Sequence, residues 1–173
     1  MSRKTRDDDE LRNASRHLFY EVFMFQSVAR ALGTGVFGKS PLSNALLESF
    51  TIHARALLEF FYAQNPREDD VVAEDYLNGL GEWTDILGDM PPILEDVRRR
   101  VGKEVAHLTY ARSSVTKNEK LWPFGEIAQA FEVVLERFLH AVPEHRLAPV
   151  SDVPDNHDAE PEEVQKDNNA ETN

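Results

Sequence analysis

Apolar positions recur at helical spacing in four stretches of this chain, and polar connections separate them. From Leu11 to Leu32 the residues Leu11, Ser15, Leu18, Val22, Phe25, Ala29 and Leu32 step at three- and four-residue intervals. That spacing is one face of a 3.6-residue helix. Tyr20 and Met24 fall on its opposite side, which points to a second buried surface such as a subunit contact. The second stretch runs from Pro41 to about Gln64, with Leu46, Phe50, His53, Ala54, Leu57, Phe60 and Phe61 on one face. Glu48, Arg55 and Glu59 point the other way, and the i,i+4 spacing of Arg55 and Glu59 predicts a surface pair. A third helix is predicted from Ile93 to about Arg112, with the stripe Leu94, Val97, Val101, Val105 and Leu108. The fourth starts at Pro123, carries Phe124, Ile127, Phe131, Val134, Leu135, Phe138 and Val142, and ends at Pro143.

The connections refine this pattern. Residues 33–40 read Gly-Thr-Gly-Val-Phe-Gly-Lys-Ser, which matches the phosphate-loop spacing GxxxxGK[ST]. That loop requires a preceding buried strand, and a long helical pattern stands there instead. The structural reading has Gly33 ending the first helix and Ser40 with Pro41 opening the second as N-cap and first-turn residue. Residues 65–92 form a long acidic connection with a short helix predicted at Val71–Leu80, and Trp83, Ile86 and Leu87 fold it back on the core. Residues 113–122 are a polar connection ending in Leu121-Trp122. The expected fold is therefore all-α: an up-and-down four-helix bundle over 11–143 as a single domain, with an extra short helix in the second connection. Residues 1–10 are expected to be disordered, and 144–173 to be a disordered acidic tail.

Composition changes the picture in two ways. The 173 residues include no cysteine, so disulfides, thiolate metal sites and thiol nucleophiles are excluded together. No apolar run reaches membrane-spanning length and the first twenty residues are too charged for a secretory signal, so a cytoplasmic protein without a membrane partner is expected. The net charge of −12 argues against nucleic acid on average. Its distribution is uneven. Residues 98–120 hold seven bases (Arg98, Arg99, Arg100, Lys103, Arg112, Lys117, Lys120) against Glu104 and Glu119, a local net of +5. This segment alone could offer a phosphate a favourable field, whereas the acidic tail suits a basic protein surface.

The candidate chemistry gathers on the third helix. Arg100 and His107 are seven residues, or two turns, apart on the flank of its apolar stripe, with Glu104 between them and the stripe. An arginine, six intervening residues and a histidine on a late helix of a small all-α bundle resemble the Arg-x4–6-His motif of the HEPN superfamily. The run Val105-Ala106-His107-Leu108-Thr109-Tyr110 is also similar to a segment of uncharacterised bacterial helical proteins. The resemblance spans roughly residues 11–142, and its motif contributes two of them. It implies a metal-independent endoribonuclease or an RNA- or nucleotide-binding protein, acting as a homodimer. By that resemblance His107 would be the acid/base in 2′-hydroxyl attack on the adjacent phosphate, and Arg100 would clamp the phosphate. Arg99, Lys103, Glu104, Tyr110 and His53 complete the candidate binding set. No cofactor is expected.

Two other classes compete with this one. In the first, Arg100 pairs with Glu104, His107 caps a packing edge, and the protein is a non-catalytic adaptor or antitoxin-like partner that uses its acidic tail. In the second, Glu104 and His107 form a Glu-x-x-His metal pair of the kind di-iron bundles use, or His53, His107 and His140 share a metal. A second Glu-x-x-His does not occur in the sequence. His53, in the middle of its stripe, reads either as a core histidine bonded to a neighbour or as a site group.

Overall fold

The computed structural model describes residues 3–78, 82–101 and 121–149. Every regular element among them is helical: α1 (Asp8–Gly33), α2 (Pro41–Tyr62), a 3-10 turn at Ala73–Tyr76, α3 (Glu82–Leu87), α4 (Pro92–Arg100), α5 (Phe124–Ala141) and a second 3-10 turn at Glu144–Arg146. No helix among the described residues is long and apolar enough to cross a membrane.

The helix boundaries follow from local chemistry. Asp7 accepts the Glu10 N–H at 2.8 Å while Glu10 reaches back to the Asp7 N–H at 3.1 Å, a reciprocal capping box that starts α1. Ser40 caps α2 by accepting from the Ser43 N–H at 3.1 Å, with Pro41 in the first turn. The GxxxxGK[ST] segment is thus a helix–helix turn. Gly35 and Gly38 hold φ of 67° and 51°, values that favour glycine, and the turn follows α1 directly. Pro92 opens α4, whose helical dihedrals continue at Val101. The predicted extension of this helix to Arg112 lies outside the described residues.

α1 packs along α2 and α5, and α4 packs on α2 and α5. The apolar stripes meet between them. Phe25 stacks on Phe50 at 5.0 Å and stands edge-on to Phe131 at 4.9 Å. Phe138 is fully buried among Phe60, Tyr76, Trp83 and Phe61, at centroid distances of 5.2 to 5.9 Å. Such pairs add about 0.5–1.5 kcal/mol each beyond their area. Trp83 and Leu87 of α3 are buried as the sequence predicts, and the Trp83 indole donates to the Phe61 carbonyl at 2.8 Å.

Four expectations need correction. The helix predicted at Val71–Leu80 is a single 3-10 turn at Ala73–Tyr76, with Leu77 already extended, because Asp75 accepts the Val72 N–H and the Tyr76 hydroxyl donates to the Leu11 carbonyl at 3.0 Å. Tertiary bonds at both ends of this segment outweigh helix propagation. Residues 3–10 are tied down: α1 starts at Asp8, Arg3 donates to the Arg67 and Asp70 carbonyls, and Arg6 donates to the Glu68 carbonyl. The tail expected from 144 begins instead with an ordered strap over 144–149. Arg146 bonds Asp8 and the Tyr76 carbonyl, each at 2.8 Å, Arg12 donates to the His145 carbonyl, and Ala148 is buried. The Arg146 hydrogen bond, aided by the charge of His145, holds the Asp8 carboxyl below its ordinary value. Residues 150–173 lie outside the described residues. Among the described residues Arg55 and Glu59, the expected surface pair, do not pair with each other, since holding two exposed side chains together costs about as much entropy as the contact returns.

Two buried hydroxyls give a paired expectation. Ser15 Oγ donates to the Arg12 carbonyl at 2.7 Å and accepts the Ala148 N–H at 2.8 Å. The Tyr62 hydroxyl is buried without a hydrogen-bond partner among the described residues, and burial raises its pKa. Ser15→Ala should therefore cost about 1–3 kcal/mol by stranding the strap N–H, whereas Tyr62→Phe should be neutral or stabilising by up to about 1 kcal/mol. Urea unfolding of the two variants, read by far-UV circular dichroism, checks both signs.

Candidate functional site

The three arginines that end α4 go to three different places, because successive helical residues are 100° apart. Arg98 turns toward α2, donating to the Tyr62 carbonyl at 3.0 Å with its guanidinium 5.9 Å from the Tyr62 ring. Arg99 is exposed and pairs with Asp96. Arg100 turns inward. Its guanidinium carbon lies 3.8 Å from the centroid of Trp122, its Nη1 donates to the Leu121 carbonyl at 3.0 Å, and Asp96 stands at 3.8 Å. The residue is only 4% exposed.

This burial differs from an accessible flank. The stripe residues Leu94, Val97 and Val101 are buried as predicted, and residue 100 borders them closely enough for Trp122 to cover it. Trp122 stands immediately before α5 and itself packs edge-on against Phe50 at 5.9 Å. Arg100 therefore joins the end of α4 to the segment that enters α5. A desolvated guanidinium over an indole is worth about 2 kcal/mol, and its hydrogen bond to a carbonyl adds to that.

His53 is the other described member of the candidate set. It is buried on the α1-facing side of α2, where its Nδ1 meets Glu21 Oε2 at 2.6 Å and its ring stands edge-on to Tyr20 at 6.0 Å. A carboxylate oxygen accepts, so Nδ1 is the donor of this bond. The arrangement orients the imidazole and locks α1 to α2. Tyr20, assigned to a second surface by periodicity, thus packs in part on this histidine. Arg100 lies in a separate contact set, with Trp122 and Leu121. His107, Lys103, Glu104 and Tyr110 lie outside the described residues.

A cleft of about 1310 Å³ lies elsewhere, between the N-terminal arm, the end of α2, α3 and α4. Phe61, Tyr62 and Trp83 are among its apolar lining, with Asp75, Arg98 and Arg99 among the charged residues; neither Arg100 nor His53 lines it. His140 is exposed on α5 with its Nδ1 on the Glu136 carbonyl at 2.7 Å. Among the described residues no three histidine or carboxylate side chains are grouped to hold a metal ion.

Sequence reasoning missed Trp122 and Glu21, the side chains that define the environments of Arg100 and His53. The signal for Trp122 was present as an aromatic residue at the mouth of a helix, in Trp-Pro-Phe. Glu21 lies 32 positions from His53, and no local pattern links them. No family model, curated protein or solved structure matches the chain.

Arg100→Ala should destabilise the protein by about 2–4 kcal/mol, through loss of the indole stack, the carbonyl bond and the packed stem. Arg100→Lys should recover less than half of this, since an ammonium lacks the planar fork. Denaturant midpoints of the two variants and of Trp122→Leu test the pairing, and a double-mutant cycle between residues 100 and 122 should show coupling of about 1 kcal/mol or more.

Proposed function

We propose that this chain is a non-catalytic helical interaction protein, built as an up-and-down four-helix bundle, in which Arg100 is an internal clamp. The observation that carries this reading is the position of the Arg100 guanidinium, enclosed by Trp122 and the Leu121 carbonyl at 4% exposure. A phosphate ligand needs N–H groups that face its anion, and here one Nη is committed to a carbonyl and the ring plane to an indole. Other arginines also serve contacts within the chain: Arg12, Arg98, Arg137 and Arg146 each donate to a main-chain carbonyl. The protein acts in the cytoplasm, and its acidic C-terminal tail engages a basic protein surface.

A second reading, the metal-independent ribonuclease or RNA-binding protein of HEPN type, keeps one observation in its favour. Arg99 is exposed beside a cleft with an aromatic lining, an arrangement in which a base could stack near a cation. Under that reading His107 is the acid/base, and Arg100 must leave Trp122 to reach a phosphate.

RNA incubated with the full chain in EDTA separates the two. The expected outcome is no cleavage, no salt-sensitive binding and no difference between wild type and His107→Ala. Cleavage that is lost in His107→Ala, and equally in an Arg100→Lys variant shown to be folded, would establish the ribonuclease and overturn the interaction-protein reading.

A further inference from the structure

The outer face of the α1–α2 hairpin carries two exposed large apolar side chains. Ile52 is 64% exposed and Phe23 is 60% exposed. They belong to the same level of the hairpin, because Glu21 stands opposite His53 and Phe25 stacks on Phe50. Each points away from the core: stepping α1 at 100° per residue puts Phe23 about 160° from Phe25 and about 140° from Val28, with the half-buried Tyr20 about 60° away from it. On α2 the ridge Glu48, Ile52, Arg55 and Glu59 falls within about 60° of arc, and all four residues are exposed. Among the described residues neither the Glu48 carboxylate nor the Arg55 guanidinium has an ion-pair or hydrogen-bond partner.

The order of these groups carries the inference. A carboxylate stands four residues before Ile52 and a guanidinium three residues after it. Two copies of this helix laid antiparallel, with a two-fold axis beside Ile52, bring Glu48 of one copy opposite Arg55 of the partner subunit, and Arg55 opposite Glu48 of the partner subunit. The isoleucines meet at the axis. An isologous interface requires a surface complementary to itself, and opposite charges placed almost symmetrically about an apolar centre provide one. The available area is sufficient. A hairpin face about 33 Å long and about 20 Å wide offers roughly 600 Å² per copy, or about 1,200 Å² in total, the lower end of specific interfaces.

We infer that the protein forms a homodimer through this face, with α2 antiparallel to its counterpart, Ile52 and Phe23 as the apolar centre, and reciprocal Glu48–Arg55 ion pairs setting the register. The inference stands independently of the RNA assay, because none of these residues belongs to the Arg100 or His107 neighbourhood. It also places the subunit contact on α1 and α2.

Sedimentation equilibrium of the full chain over a micromolar-to-submillimolar dilution series tests it. Wild type should sediment as a dimer dissociating at the dilute end. Ile52→Glu should be monomeric throughout, with unchanged far-UV circular dichroism and melting temperature corrected for dimer dissociation, since the side chain is exposed in the single copy. Glu48→Arg and Arg55→Glu should each weaken the dimer by about tenfold or more by placing like charges together. The combined Glu48→Arg/Arg55→Glu protein should regain most of the affinity, because both pairs are then reversed. A wild type that is monomeric over the whole series, a dimer indifferent to Ile52→Glu, or a double reversal no better than the single ones each overturns the proposal.

Discussion

The bond on which this fold leans is the donation of an arginine guanidinium to a main-chain carbonyl outside the helical ladders. Helix ends leave carbonyls without intrahelical donors, and long connections leave more. Here they are met from a distance by a planar, permanently charged group carrying five N–H donors. Arg98 reaches the last residue of α2, Arg137 the last residue of α3, Arg100 the segment before α5, Arg146 the first 3-10 turn, and Arg12 the second. Each bond fixes where a connection lies relative to a helix, which the apolar stripes alone leave open. A stripe specifies which face turns inward; it says little about the path of the chain between faces.

The same chemistry explains what was legible beforehand. Helix existence and the buried faces could be read because burial has a period: Leu11, Leu18 and Phe25 on α1, and Ile127, Phe131, Val134 and Phe138 on α5, are buried where spacing puts them. Ser40 and Pro41 were legible because capping is local. The strap was not. Its composition is that of a tail, and its order comes from Asp8, Arg12 and Ser15, more than 130 positions earlier. The environment of Arg100 was hidden for a related reason: its acceptor is a carbonyl, which every residue carries, and its stacking partner, Trp122, lies 22 positions further along the sequence. Only the adjacency of residue 100 to the stripe hinted that it would be covered.

A charge count over a segment treats its arginines as one field. The run at 98–100 shows the weakness of that step. Three consecutive cations on a helix cannot share a face, and these are directed to α2, to Asp96 and to Trp122. What survives at the surface is one guanidinium already beside a carboxylate.

The strap has a topological consequence. Asp8 and Arg146 are 138 positions apart in sequence and in direct contact, so the described chain comes close to a ring that is closed non-covalently where α1 begins. The Gly35–Gly38 turn sits at the far end of α1, a helix of 26 residues spanning about 39 Å. The clasp therefore lies at one end of α1 and the glycine turn at the other. The molecule has a polarity along its long axis that neither its charge nor its hydropathy would reveal.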